Sequence, residues 1–122
     1  MAIKKILVVD DSPTDQQFLR ELLTKKGYQV LSASGGEEGI TKARTLQPDL
    51  ILMDVVMPGL NGFQATRQLS QDEATKDIPV IICTTKQQET DRFWGLKQGA
   101  RDYVTKPVDA AELLTKIAAQ DA

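Results

Sequence analysis

The stretch ILVVDDSP, residues 6–13, decides the fold. Ile6 to Val9 is a short aliphatic run flanked by charge, which predicts a buried strand. Ser12 then stands as an N-cap with Pro13 at the first helical position. Between strand and helix, Asp10 and Asp11 put two like charges at the edge of the core. A solvated, capped turn accounts for that chemistry locally. A cation site accounts for the second charge as well.

The same alternation repeats to the end of the chain. Phe18, Leu19, Leu22 and Leu23 put an apolar stripe on the first helix, and Gly27 stops it. Tyr28 to Ala33 reads as a second strand and Gly35–Gly36 as a turn. A second helix carries Ile40, Ala43 and Leu46, and Pro48 stops it. Leu50 to Met53 is a third buried strand running into Asp54, and the loop VVMPGLNG that follows is rich in breakers. Phe63 and Leu69 mark a third helix. Ile78 to Cys83 is the fourth strand, with Pro79 near its start and Thr84 and Thr85 at its end. A helix over residues 88–98 stops at Gly99. Tyr103 and Val104 form a short fifth strand, followed by the turn TKP. The last helix carries Ala110, Leu113, Leu114, Ile117 and Ala118 on one stripe.

This is a (βα)5 α/β pattern, read as a single domain over residues 1–122. Strands alternating with helices imply a doubly wound parallel sheet with right-handed crossovers. The net charge of −2, with both signs interspersed, offers no broad basic field for nucleic acid. No apolar run approaches the roughly 18 residues of a membrane span. The N-terminus MAIKK is interrupted by charge too early for a signal peptide. The lone cysteine, Cys83, fits a reducing cytoplasm and reads as a small buried hydrophobe rather than a redox centre. The absence of His excludes His-based acid–base chemistry and His-ligated zinc within this chain.

In parallel sheets of this kind, ligands gather at the carboxyl ends of the strands. Asp10 and Asp11 end the first strand, Asp54 the third and Thr84 the fourth, and Lys106 follows the fifth. These residues are expected to meet on one rim. Three carboxylates in one pocket resist ionising together without a counter-charge. A hard divalent cation supplies one, and Mg²⁺ binds through few protein oxygens with waters and phosphate completing its shell. Such an ion, a carboxylate nucleophile, a Lys and a hydroxyl are the parts that phosphoryl transfer needs.

The set DD, then D followed by xxMPGxxG, then T, then KP, resembles the receiver domain of bacterial two-component response regulators. The resemblance covers essentially the whole chain. It implies a flavodoxin-like sheet of order 2-1-3-4-5. It implies that Asp54 accepts a phosphoryl group from a sensor histidine kinase. Asp10, Asp11, Asp54 and the backbone carbonyl of Val56 would ligate Mg²⁺, for which Mn²⁺ could substitute. Thr84 would move its hydroxyl to the phosphoryl group, Lys106 would pair its charge, and Tyr103 would change rotamer with Thr84. The Lys106–Pro107 bond would be cis. Val56 and Lys86, two positions after Asp54 and Thr84, would tune how long the phosphoryl group lasts. The resemblance gives the domain no independent substrate. By that resemblance it would assist its own phosphorylation and dephosphorylation, and would signal to a protein partner through the face made by the 88–98 helix, the fifth strand and the last helix.

The stretches MPGLNGFQATRQL and TTKQQETDRFWGLKQGARDYVTKPVD resemble stand-alone receivers of pilus-dependent twitching-motility and phototaxis systems. Taken singly, each site residue has a plainer role: Asp10–Ser12 as a cap, Asp54 as a turn residue, Lys106 as a solvated charge, Tyr103 as an edge aromatic. The set in order at the strand ends decides against those roles. In the 88–98 helix, Gly95 and Gly99 suit close packing and Leu96 is expected to face inward, while Trp94 packs at the flank or meets a partner. Competing functions are a phosphate sink, a fragment of a larger regulator, a phosphorylation-independent binding domain, and a Mg²⁺-dependent phosphatase of the haloacid-dehalogenase type. The last carries its nucleophile in a DxD motif after the first strand, whereas here the pair is contiguous.

Overall fold

The computed structural model describes residues 2–84 and 95–121. Its elements are β1 (Lys5–Val9), α1 (Pro13–Lys25), β2 (Gln29–Ala33), α2 (Gly36–Leu46), β3 (Leu50–Asp54), α3 (Gly62–Gln71), β4 (Val80–Thr84), β5 (Asp102–Thr105) and a C-terminal helix (Ala110–Ala119). The five strands form one parallel sheet in the order β2-β1-β3-β4-β5. Of the expected 88–98 helix, residues 95–98 fall among the described residues, and 95–97 are helical. Trp94, Thr85 and Lys86 lie outside them.

Strand geometry sorts side chains to alternate faces, and both faces are covered. Leu7, Val9, Ile51, Met53 and Ile82 enter one core with Ala43, Ala65 and Leu69 of α2 and α3. Ile6, Val8, Leu52, Ile81 and Cys83 enter the other with Leu19, Leu23, Leu113 and Ile117 of α1 and the C-terminal helix. Full burial of a Leu or Ile contributes about 1.5–3 kcal/mol each, so β3, buried over all five residues, anchors the sheet.

Local signals start and stop the helices. The Ser12 hydroxyl accepts a hydrogen bond from the Asp15 amide at 3.3 Å, with Pro13 opening α1. Asn61 and Gln64 form a reciprocal capping box at the start of α3. Gln47, in the left-handed region at φ 48°, terminates α2 one residue before Pro48.

Three expectations about apolar faces are corrected. Phe18 is 47% exposed, because Leu19 and Leu23 fill the buried side of α1. Leu46, in the last turn of α2, is exposed where Ala43 is buried. Leu96 is exposed rather than inward-facing, because Gly95 takes the position against the sheet. A Cβ on Gly95 would lie 3.3 Å from Ile82.

Candidate functional site

β1 and β3 are neighbours with Val9 opposite Met53, so Asp10 and Asp54 leave the sheet side by side. Asp10 is 1% exposed and Asp54 6%, whereas Asp11 faces solvent. Asp10, Asp11 and Asp54 each offer a carboxylate oxygen, and the three oxygens lie within 4.8 Å of one another.

Backbone and side-chain hydrogen bonds fix Asp10. Its amide donates to the Ala33 carbonyl at 3.0 Å, and its Oδ1 accepts from the Ser12 amide at 2.9 Å. Gln16 of α1 donates through Nε2 to the carbonyls of both Asp10 and Ala33. The second oxygen of Asp10 is thereby left to face the pocket.

Lys106 reaches that pocket from the opposite edge. Thr84 pairs with Thr105 at the ends of β4 and β5, and the Lys106 amide donates to the Thr84 carbonyl at 2.6 Å. The Lys106–Pro107 peptide bond is cis, as the family resemblance implies. The Lys106 ammonium lies 2.8 Å from Asp10 Oδ2, 2.9 Å from Asp15 Oδ2 and 3.2 Å from Asp54 Oδ1. Burial works against this ammonium, but the bonds to Asp10 and Asp15 and the charges of Asp54 and Asp10 outweigh it and hold its pKa above the ordinary value.

One cation does not neutralise the pocket. Burial pushes the Asp54 carboxyl up to about 6, and the Asp10 charge adds to the rise against the pull of Lys106 and the Val55 amide. All the converging donors are hard oxygens from carboxylates, which fits Mg²⁺ or Mn²⁺ and not a soft metal.

The residues expected at the rim are largely found there. Thr84 is buried at the end of β4. Val56 is 60% exposed, two residues beyond Asp54. Tyr103 is half-buried against the α2–α3 core, with the Lys116 ammonium 4.6 Å from its ring centroid. Lys86 lies outside the described residues.

Two residues at the site escaped the sequence reading: Asp15, on Lys106, and Gln16, on the carbonyl of Asp10. Acids are favoured in any first helical turn by the helix macrodipole, so Asp15 carried no distinctive signal. Gln16 lies on the helix face toward β1, a placement set by how α1 packs.

Residues 6–118 match the family model described as the response regulator receiver domain. The chain is 61% identical over 113 residues to Protein PilH of Pseudomonas aeruginosa, covering 93% of each. Among solved structures it is similar to the chemotaxis protein CheY4 of Vibrio cholerae, with TM-score 0.90, 30% identity and coverage of 97% of this chain and 98% of that one. It is also similar to the receiver domain of the sensor histidine kinase PA1611 of Pseudomonas aeruginosa, whose structure has a magnesium ion coordinated in the active-site cleft. There the TM-score is 0.89, identity 33% and coverage 98% of each chain. With the fold, the acidic pocket and the family match in agreement, the chain belongs to the response regulator receiver domains of two-component signalling.

Proposed function

We propose that this chain is a phosphorylation-controlled signalling module whose phosphoacceptor is Asp54. The observation that carries this reading is the convergence of Asp10, Asp11 and Lys106 on Asp54 at the rim of the sheet. An Asp54 carboxylate oxygen attacks phosphorus, and the bond from phosphorus to the imidazole nitrogen of a kinase phosphohistidine breaks. The imidazole leaves with the bonding electron pair. Lys106 stays protonated and donates to the phosphoryl oxygens as charge collects on them. Asp10, Asp11, Asp54 and the Val56 carbonyl are the residues that would hold Mg²⁺, which when bound neutralises charge on the carboxylates and the phosphoryl group.

In this reading Thr84 follows the phosphoryl group, Tyr103 follows Thr84, and the face beside β5 and the C-terminal helix shifts between two populations. A protein partner reads that face. Exposed Val56 presents no group to orient an attacking water, and Lys86 tunes how long the phosphoryl group lasts. The chain acts as a single cytoplasmic domain in pilus-based motility. Its similarity to PilH and its own MPGLNGFQATRQL stretch support that pathway.

Incubation with Mg²⁺ and acetyl phosphate, read by intact mass, tests the chemistry. A labile phosphoryl adduct that disappears in Asp54→Asn is expected. An adduct that persists in Asp54→Asn, or none in wild type, refutes the assignment.

A further inference from the structure

The Lys106 ammonium has three protons to donate and three carboxylates around it. Two of them, Asp10 and Asp54, belong to the trio whose oxygens converge on one cation position. Asp15 does not. Its carboxylate projects from the first turn of α1, 44% exposed, while the Lys106 side chain is 12% exposed. A cation drawing on Asp10 and Asp54 weakens their hold on Lys106 and leaves that of Asp15 intact.

With a cation drawing on Asp10 and Asp54, Asp15 is the acceptor left to pull the Lys106 ammonium away from a phosphoryl oxygen that engages it. We propose that Asp15 is a positioning residue that holds the Lys106 ammonium toward α1 and competes for it with phosphoryl oxygens on Asp54. The inference rests on the phosphoacceptor reading above. Asp15 thereby lowers the affinity of the site for a phosphoryl group and favours the unphosphorylated arrangement. Half of the pair is in water, so its effect is a shift of about two- to fivefold rather than orders of magnitude.

The test uses beryllofluoride, which stands in for the phosphoryl group on a carboxylate. Wild type, Asp15→Asn, Asp15→Ser and Asp15→Glu are titrated at saturating MgCl₂, followed by backbone amide NMR shifts, in about 0.1 M and about 0.5 M KCl. Asp15→Asn and Asp15→Ser should bind about two- to fivefold tighter than wild type at both salts, and Asp15→Glu should stay near wild type. Equal or weaker binding by the Asn and Ser variants overturns the proposal. So does a gain confined to low salt, because a Debye length of about 4 Å at the higher salt removes a long-range charge effect. A Glu variant as tight as the Asn variant also overturns it. If the wild type itself takes up neither beryllofluoride nor phosphate from acetyl phosphate, the phosphoacceptor reading fails instead.

Discussion

Gly62 lies so close beneath Asp54 that a Cβ on it would come 2.0 Å from the Asp54 carbonyl oxygen and 2.9 Å from the Val55 Cα. The first turn of α3 is thus packed directly on the backbone that carries the central carboxylate, and the Gly62 amide donates to the Val55 carbonyl at 3.0 Å.

That contact is backbone against backbone, so no rotamer change relieves it. Gly62→Ala should destabilise the fold by about 1–3 kcal/mol, the usual cost of overpacking a filled interior. It should also displace Asp54, weakening Mg²⁺ binding. Urea denaturation and Mg²⁺ titration check the two effects, and a variant with wild-type stability would contradict the close approach.

The acidic trio predicts a stabilising response to metal. MgCl₂ should raise the Tm of the wild type, and EDTA should reverse the rise, because a ligand that binds only the folded state stabilises it. Removal of even an indirect metal partner commonly costs about 10–100-fold in affinity. Asp11→Asn, on the exposed member of the trio, should therefore need at least about tenfold more Mg²⁺ for the same shift.

Burial pushes the Cys83 thiol up to about 12. The reactive thiolate is then scarce in the folded protein at neutral pH. Ellman's reagent at pH 8 should leave native Cys83 unmodified and react promptly after denaturation. Prompt native reaction would contradict the placement of Cys83 in the core.

Asp49 supplies an acid-sensitive tie. Its Oδ2 accepts from the amides of Lys4 and Lys5 at 2.9 Å each, linking the approach to β3 with the start of β1. Burial raises its pKa, but those two bonds and the charges of Lys5 and Lys4 outweigh it and lower the net value from 3.8. A depressed folded value means stability that is present above 3.8 and lost as pH falls through the folded value. Asp49→Asn should cost about 1 kcal/mol at pH 7, with the difference from wild type shrinking below pH 3.8. Urea midpoints at neutral and acid pH check this, and a difference independent of pH would contradict it.

The fold was legible because five apolar runs, each bounded by breakers and separated by helical stripes, leave few topologies. The meeting of Asp10, Asp54 and Lys106 was legible for the same reason, since parallel strands deliver their carboxyl ends to one rim. Asp15 and Gln16 were not, because an acid or amide early in a helix has many uses and only the packing of α1 selects one. The inward expectations for Phe18 and Leu96 failed where an apolar residue sits at the border of a stripe and a neighbour takes the buried place. The tight seat of Gly62 was hidden because a glycine in a loop reads equally well as a turn.

The two-sided burial of β3 has a consequence for how such a pocket can vary. Leu52 belongs to one core and Met53 to the other. Inserting or deleting one residue within the strand would swap those allegiances and slide Asp54 past Asp10 by a full step. Hydrophobic packing therefore acts as a vernier for the charges at the rim. The exposed Val56 side chain beyond Asp54 is free to change in chemistry, while the spacing between the carboxylates is held by core residues such as Leu52 and Met53.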